Sequence, residues 1–157
     1  MEIKGLKAFP GRNIYSHNPV LRVEIDLMEW GQVDSRQLPA FQERLLNFLP
    51  GLREHHCSLG KKGGFVERLR EGTFLGHIIE HVLLEMQHQL GSEANYGKTR
   101  TLANGRVEII FEYSNKETAV FLAQEVVKSI EALLTGKHAD LKRIMDRAAG
   151  IMAGNSP

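Results

Sequence analysis

His77, Glu80 and His81 stand in the order H-x-x-E-H, with Glu85 four residues further on. Residues four apart on a helix share one side a turn apart, so the imidazoles of His77 and His81 can converge on one cation. Glu80 projects beside them, placed to take a proton from a water that such a cation acidifies towards a pKa of about 7. The chemistry this suits is hydrolysis, in which hydroxide attacks a carbonyl. A catalytic zinc site uses three protein ligands and keeps a fourth position open, so a third ligand is required. Glu85 is the nearest candidate and Glu112 the reserve choice. Two imidazoles and a carboxylate suit several divalent ions, zinc first among them.

The same side chains also read as the solvated face of an amphipathic helix. Leu75, Ile78, Ile79, Val82, Met86 and Leu90 form its apolar stripe, leaving His77, Glu80, His81, Glu85 and His88 on the other side. Two details argue for a covered face: Phe74 and Leu84 share it, and it carries more histidines than solvation needs.

Nearby cations are less specific. Arg68 and Arg70 before this helix, and Lys98 and Arg100 after it, could bind carboxylates, which a guanidinium fork matches in two-pronged fashion. Local pairing with Glu67, Glu71 and Glu93 is the plainer use for each. His55-His56-Cys57 resembles a ligand set, but adjacent residues seldom aim at one point, so an ordinary loop is expected there. Gly60-Lys61-Lys62-Gly63-Gly64 lacks the phosphate-loop pattern, and no ATP site is expected.

Several elements must position these groups. Leu21, Val23, Ile25 and Leu27 alternate with Arg22, Glu24 and Asp26, the pattern of a half-buried strand, and Ile3 to Phe9 is a weaker strand that can pair with it. Asp34 and Ser35 are predicted to cap a helix through Phe48 that Pro50-Gly51 ends, with a loop from Leu52 to Gly64. After the long helix come Thr99 to Ala103 and Arg106 to Tyr113, split by Asn104-Gly105, a tight-hairpin signal. Ser114 and Glu117 form a capping box for a helix closed by Gly136, and a short helix over Ala139 to Ala148 leads to a linker-like Gly154-Asn155-Ser156-Pro157. The order predicts an α+β fold: an antiparallel sheet of about four strands with helices packed mainly on one face.

Composition bounds the rest. A chain of 157 residues suits one compact domain, and no apolar run is long enough to span a bilayer. A net charge of +1 supplies no field for gripping nucleic acid. Cys57 is the only cysteine, which excludes an internal disulfide and a cysteine-rich zinc site and, with no secretory leader, fits a cytoplasmic protein.

Taken together, NIYSHNPVLRVEIDL, LPGLREHHCSLGKKGGFVERLREGTFLGHIIEHVLLEMQ, YGKTR and FEYSN resemble, in order, the N-terminal domain of cyanophycin synthetases. GGFVERLREGTFLGHIIEHVLLE carries most of the likeness. That family polymerises aspartate and arginine, using ATP-grasp and Mur-ligase-like domains that follow this one; neither is expected within this chain. The resemblance implies a domain over residues 1–137, with 138–157 as a short helix and linker leading towards the ATP-grasp portion. It also implies that the domain holds the polymer, in some members cuts it internally to yield primers, and belongs to a homo-oligomer. The cut falls to the H-x-x-E-H helix, and Arg68, Arg70, Lys98 and Arg100 would meet polymer carboxylates. A non-catalytic anchoring and oligomerisation module is the alternative.

Overall fold

The computed structural model describes residues 1–57 and 60–154. Strands β1 (Glu2–Phe9) and β2 (Val20–Asp26) pair antiparallel with a bulge between Ile3 and Gly5. Strands β3 (Gly97–Thr101) and β4 (Arg106–Glu112) form the expected hairpin. Asn104 and Gly105 both have positive φ, 59° and 72°, the backbone twist a two-residue hairpin turn needs. β4 then lies against β2, giving one antiparallel sheet in the order β1-β2-β4-β3.

The alternating residues behave as their pattern predicts. Leu21, Val23 and Ile25 of β2 and Val107, Ile109 and Phe111 of β4 face one core. Helix α3 (Leu75–Gln89) packs there against β3 and β4, and helix α4 (Lys116–Leu134) against β1 and β2. Helices therefore cover one sheet face, and the other carries Arg22, Glu24, Lys98, Arg100 and Glu108 by alternation. No helix among the described residues is long and apolar enough to cross a membrane.

Several boundaries differ from the sequence reading for local reasons. Asp34 caps a single 3-10 turn, Ser35–Gln37, whose Arg36 amide donates to it, and helix α1 (Pro39–Phe48) starts afterwards on a proline whose fixed φ suits a first turn. Asn115, not Ser114, caps α4 by accepting from the Thr118 amide at 2.9 Å. The last helix, α5 (Leu141–Met152), is capped by Asp140 and buries Ile144 and Ala148 against α4. Of the expected terminal linker, residues 155–157 lie outside the described residues.

The largest difference lies before α3. The chain does not leave helical structure at Pro50-Gly51 but continues as a 3-10 segment, Pro50–Glu54, that buries Leu52. A further helix, α2 (Gly64–Glu71), was not expected; it has only two turns and buries just Gly64, Phe65 and Leu69, too short a pattern to show periodicity. The Leu52–Gly64 loop expectation holds only for its middle, in which residues 58 and 59 are not described.

Candidate metal centre

Helix α3 has no solvated face over its middle. Ile78 through Gln87 are all buried, including Glu80 and Glu85 at 8% exposure and His81 at 7%. The 3-10 segment and α2 supply the cover that Leu84 on the polar side suggested; Leu84 is buried, whereas Phe74 stays half exposed. Phe65, fully buried from α2, sets its ring 4.5 Å from that of His81, 6.2 Å from His77 and 6.4 Å from His55, centroid to centroid. Burying one such ring contributes about 1.5–3 kcal/mol, so the imidazoles are set by the core itself.

The two imidazoles of the motif converge: His77 Nε2 and His81 Nε2 are 3.1 Å apart. Cys57 Sγ lies 3.3 Å from the same His77 Nε2. Around a tetrahedral zinc, with Zn–N near 2.0 Å and Zn–S near 2.3 Å, such atoms stand roughly 3.3 and 3.6 Å apart, so Cys57, His77 and His81 fit that ion. Cys57 holds φ at +55°, a left-handed conformation that a side chain with a Cβ seldom adopts unless its surroundings impose it.

Glu80 lines the same cleft as this trio. The Thr99 hydroxyl donates to its Oε2 at 2.6 Å. Gly97 of β3 makes room for it, since a Cβ there would come within 2.7 Å of Glu80 Cγ and Oε1. Burial pushes the Glu80 carboxyl above its ordinary range, with the Thr99 hydrogen bond pulling the other way. A carboxyl raised in this manner is a better proton acceptor, the property a general base needs.

Glu85 is placed differently from the histidines above it. Its Oε2 lies 2.8 Å from His55 Nε2, and its Oε1 accepts from Gln89 Nε2 at 2.9 Å. His55, Glu85 and His88 form a second group with metal-ligand chemistry. Gly51 leaves the space for this carboxylate, because a Cβ at that position would fall 1.7 Å from Glu85 Oε1. Glu112, the reserve ligand, is occupied elsewhere: it accepts from Ser16 Oγ at 2.5 Å, Asn18 Nδ2 at 3.2 Å and the Tyr96 and Asn95 amides. Burial pushes its carboxyl up, but these donors outweigh that and hold it below its usual value.

Of the four basic residues singled out, only Arg68 reaches this region. It lines a cleft of ≈ 270 Å³ with Phe74, His77, Glu80 and Thr99. Arg70 lines a separate cleft beside Arg53 and Glu71. Lys98 and Arg100 are exposed on the sheet face away from α3, where Arg100 Nη1 lies 3.6 Å from Glu108. A larger cleft of ≈ 630 Å³, with Glu54, Cys57, Glu85 and Asn95 on its walls, shares His77 and Glu80 with the Arg68 cleft. The two clefts thus meet at the motif.

Burial favours the neutral form of the motif histidines. It lowers His77, with the Arg68 charge adding to the effect, and it lowers His81 to about 3, helped by His77 and His55. In metal-free protein the unfolded chain then binds protons below pH 6.5 that folded His81 refuses until about pH 3, so stability falls as pH drops through that window. Glu80 opposes this, since its raised value favours the fold on the acid side. Chelator-treated protein is expected to lose about 2 kcal/mol from His81 between pH 7.5 and 5, or about 4–8 °C in Tm. Thermal melts of wild type and His81→Gln check this: the drop should be smaller in the variant, and equal drops would show that His81 is not the cause.

Residues 22–135, which include every group of the centre, match the family model described as the cyanophycin synthase-like N-terminal domain. The chain belongs to this family. It is also similar to the cyanophycin synthetase of Synechocystis sp., at 35% identity over 99% of this chain and 19% of that protein. The cyanophycin synthetases of Geminocystis herdmanii and Crocosphaera subtropica match at 34% and 32% identity, over 86% and 99% of this chain. The domain thus spans about a fifth of the length of these curated relatives.

Sequence reasoning did not anticipate His55 and Cys57. The objection that neighbours do not aim at one point is correct for His55-His56-Cys57, and in the structure the three side chains go to different places. His55 turns to His81 and Glu85, Cys57 turns to His77, and His56 between them is exposed. Strand alternation does not account for it, since Cys57 is left-handed, and no periodic signal in the sequence pointed to the pair.

Proposed function

We propose that this domain is a metal-dependent hydrolase that cuts multi-L-arginyl-poly-L-aspartate within its backbone. The observation that carries the reading is the meeting of His77 Nε2, His81 Nε2 and Cys57 Sγ in a cleft that a buried Glu80 also lines. One thiolate and two imidazoles favour zinc, which when bound would acidify water and polarise a carbonyl at this spot. Glu80, with its raised pKa, takes the proton of the attacking water and returns it to the departing backbone amine. Thr99 holds the carboxylate in place for both transfers. Arg68 at one end and Glu54 and Glu85 at the other suit a chain that carries both carboxylates and guanidinium groups.

Two clefts that share His77 and Glu80 leave room for polymer on either side of the cut, so internal cutting is expected, with shorter primers as the product. In a full-length synthetase this activity would stand beside the ATP-grasp and Mur-ligase-like domains in the cytoplasm. Zinc-loaded protein incubated with soluble cyanophycin should shorten the chains, and chelator should stop it. Unchanged chain length with zinc bound would sink the reading.

One observation favours a polymer-anchoring role as well. The open sheet face sets Arg22, Arg100 and Arg106 beside Glu24 and Glu108, with Lys98 in the next row, a two-sign surface matched to a two-sign polymer. Anchoring alone predicts retained polymer binding with no cutting in any variant.

A further inference from the structure

Resting on the metal reading above, we infer that Glu85 acts on the cation from outside, through His55, and that the His55–Glu85–His88 group is not a second metal site. His81 has both ring nitrogens beside another imidazole: Nε2 is 3.1 Å from His77 Nε2, and Nδ1 is 2.9 Å from His55 Nδ1. When Nε2 faces a cation, the single proton of neutral His81 sits on Nδ1 and donates to His55 Nδ1. His55 then carries its own proton on Nε2 and donates to Glu85 Oε2 at 2.8 Å, while Gln89 Nε2 donates to the other oxygen. On the far side His77 Nδ1–H donates to Thr73 Oγ1, 2.9 Å away. Each ring N–H in this arrangement finds an acceptor.

Without a cation only one end of this chain of bonds changes. The Thr73 hydroxyl donates to His77 Nδ1, and His77 Nε2–H donates to His81 Nε2; the His81–His55–Glu85 branch keeps its protons. That branch is therefore set before any ion arrives, and it fixes the tautomer and ring orientation of His81 as the outer partners of metal-binding histidines do. A carboxylate at the end of the branch also makes the His81 nitrogen a stronger electron donor.

A second cation on His55, Glu85 and His88 would need His55 Nε2 stripped of its proton. His55 Nδ1–H would then point at His81 Nδ1–H across 2.9 Å, and one imidazole would have to give up its last proton. The His55 to Glu85 separation of 2.8 Å is a hydrogen-bond length, shorter than the roughly 3.3 Å between two ligand atoms on one zinc. One cation per chain follows, with Glu85 and His55 as positioning residues.

The test is zinc affinity and stoichiometry, measured by competition with a chelator, together with the spectrum of the cobalt-loaded protein. Wild type should bind one equivalent and show a thiolate-to-cobalt band from Cys57. Glu85→Gln and His55→Gln should each weaken zinc by about 10–100-fold and keep that band, while His88→Ala binds as wild type does. Proton–nitrogen correlation spectra of the zinc form should show the proton on His81 Nδ1 and His55 Nε2, a signature that a merely structural role would not produce. Zinc bound as tightly by Glu85→Gln as by wild type overturns the inference, as does a second equivalent lost in His88→Ala. Zinc-loaded wild type that binds but does not cut defeats the hydrolase reading and leaves this one standing; wild type that binds no zinc defeats both.

Discussion

Glu80→Gln is expected to slow polymer cutting by about 10²–10⁴-fold while leaving zinc bound and polymer affinity unchanged. The substitution keeps shape and the acceptor oxygen that the Thr99 hydroxyl uses, at 2.6 Å in the native domain, so the side chain should stay against Gly97. It replaces the other oxygen with an amide nitrogen and so removes the charge and basicity of the carboxylate. Cys57, His77 and His81 do not bond Glu80, so zinc content read by elemental analysis should match wild type. Chain length resolved on gels reports cutting. A variant that cuts at the native rate would remove Glu80 from the chemistry, and one that loses zinc would make it a ligand.

Cys57→Ser is expected to lose zinc outright at concentrations that saturate wild type. A serine hydroxyl is a poor ligand because it does not ionise near neutral pH, whereas a thiol beside a divalent cation deprotonates. The loss should exceed the about 10–100-fold cost of disturbing an outer partner. Serine has nearly the same shape and meets the same backbone requirement at φ +55°, so the fold should be kept. Equilibrium dialysis against buffered zinc decides it, and native retention by the serine variant would take Cys57 out of the site.

The sheet and the two long helices were legible in the sequence because each has enough residues to display its period. β2, with inward apolar positions Leu21, Val23 and Ile25, and α3, with a stripe from Leu75 onward, fall in this class. Helix α2 was not, since two turns with two large buried side chains, Phe65 and Leu69, cannot be told from a loop. The same short helix decides the site. Its Phe65 closes over His77, His81 and His55, converting what looked like a wet helix face into a buried one.

For the candidate site, four residues on a helix fix a distance, and His77 and His81 stand with their Nε2 atoms 3.1 Å apart. Spacing along α3 could not point to Cys57, the third member of the candidate trio. Glu85 lies one more turn along the same line, which is also why it meets His55 from the preceding segment before it could reach the atoms near His77. Cys57 arrives from a stretch with no periodicity, so only the folded chain brings its Sγ to His77. Lys98 and Arg100 looked close in sequence to the motif helix, yet strand alternation turns them to the opposite sheet face.

X-ray absorption at the zinc edge of the loaded protein tests the central claim most directly. The arrangement of Cys57, His77 and His81 predicts one sulfur at about 2.3 Å, two imidazole nitrogens at about 2.0–2.1 Å and one light atom from solvent or substrate. A shell of nitrogen and oxygen alone, with no sulfur, would contradict it.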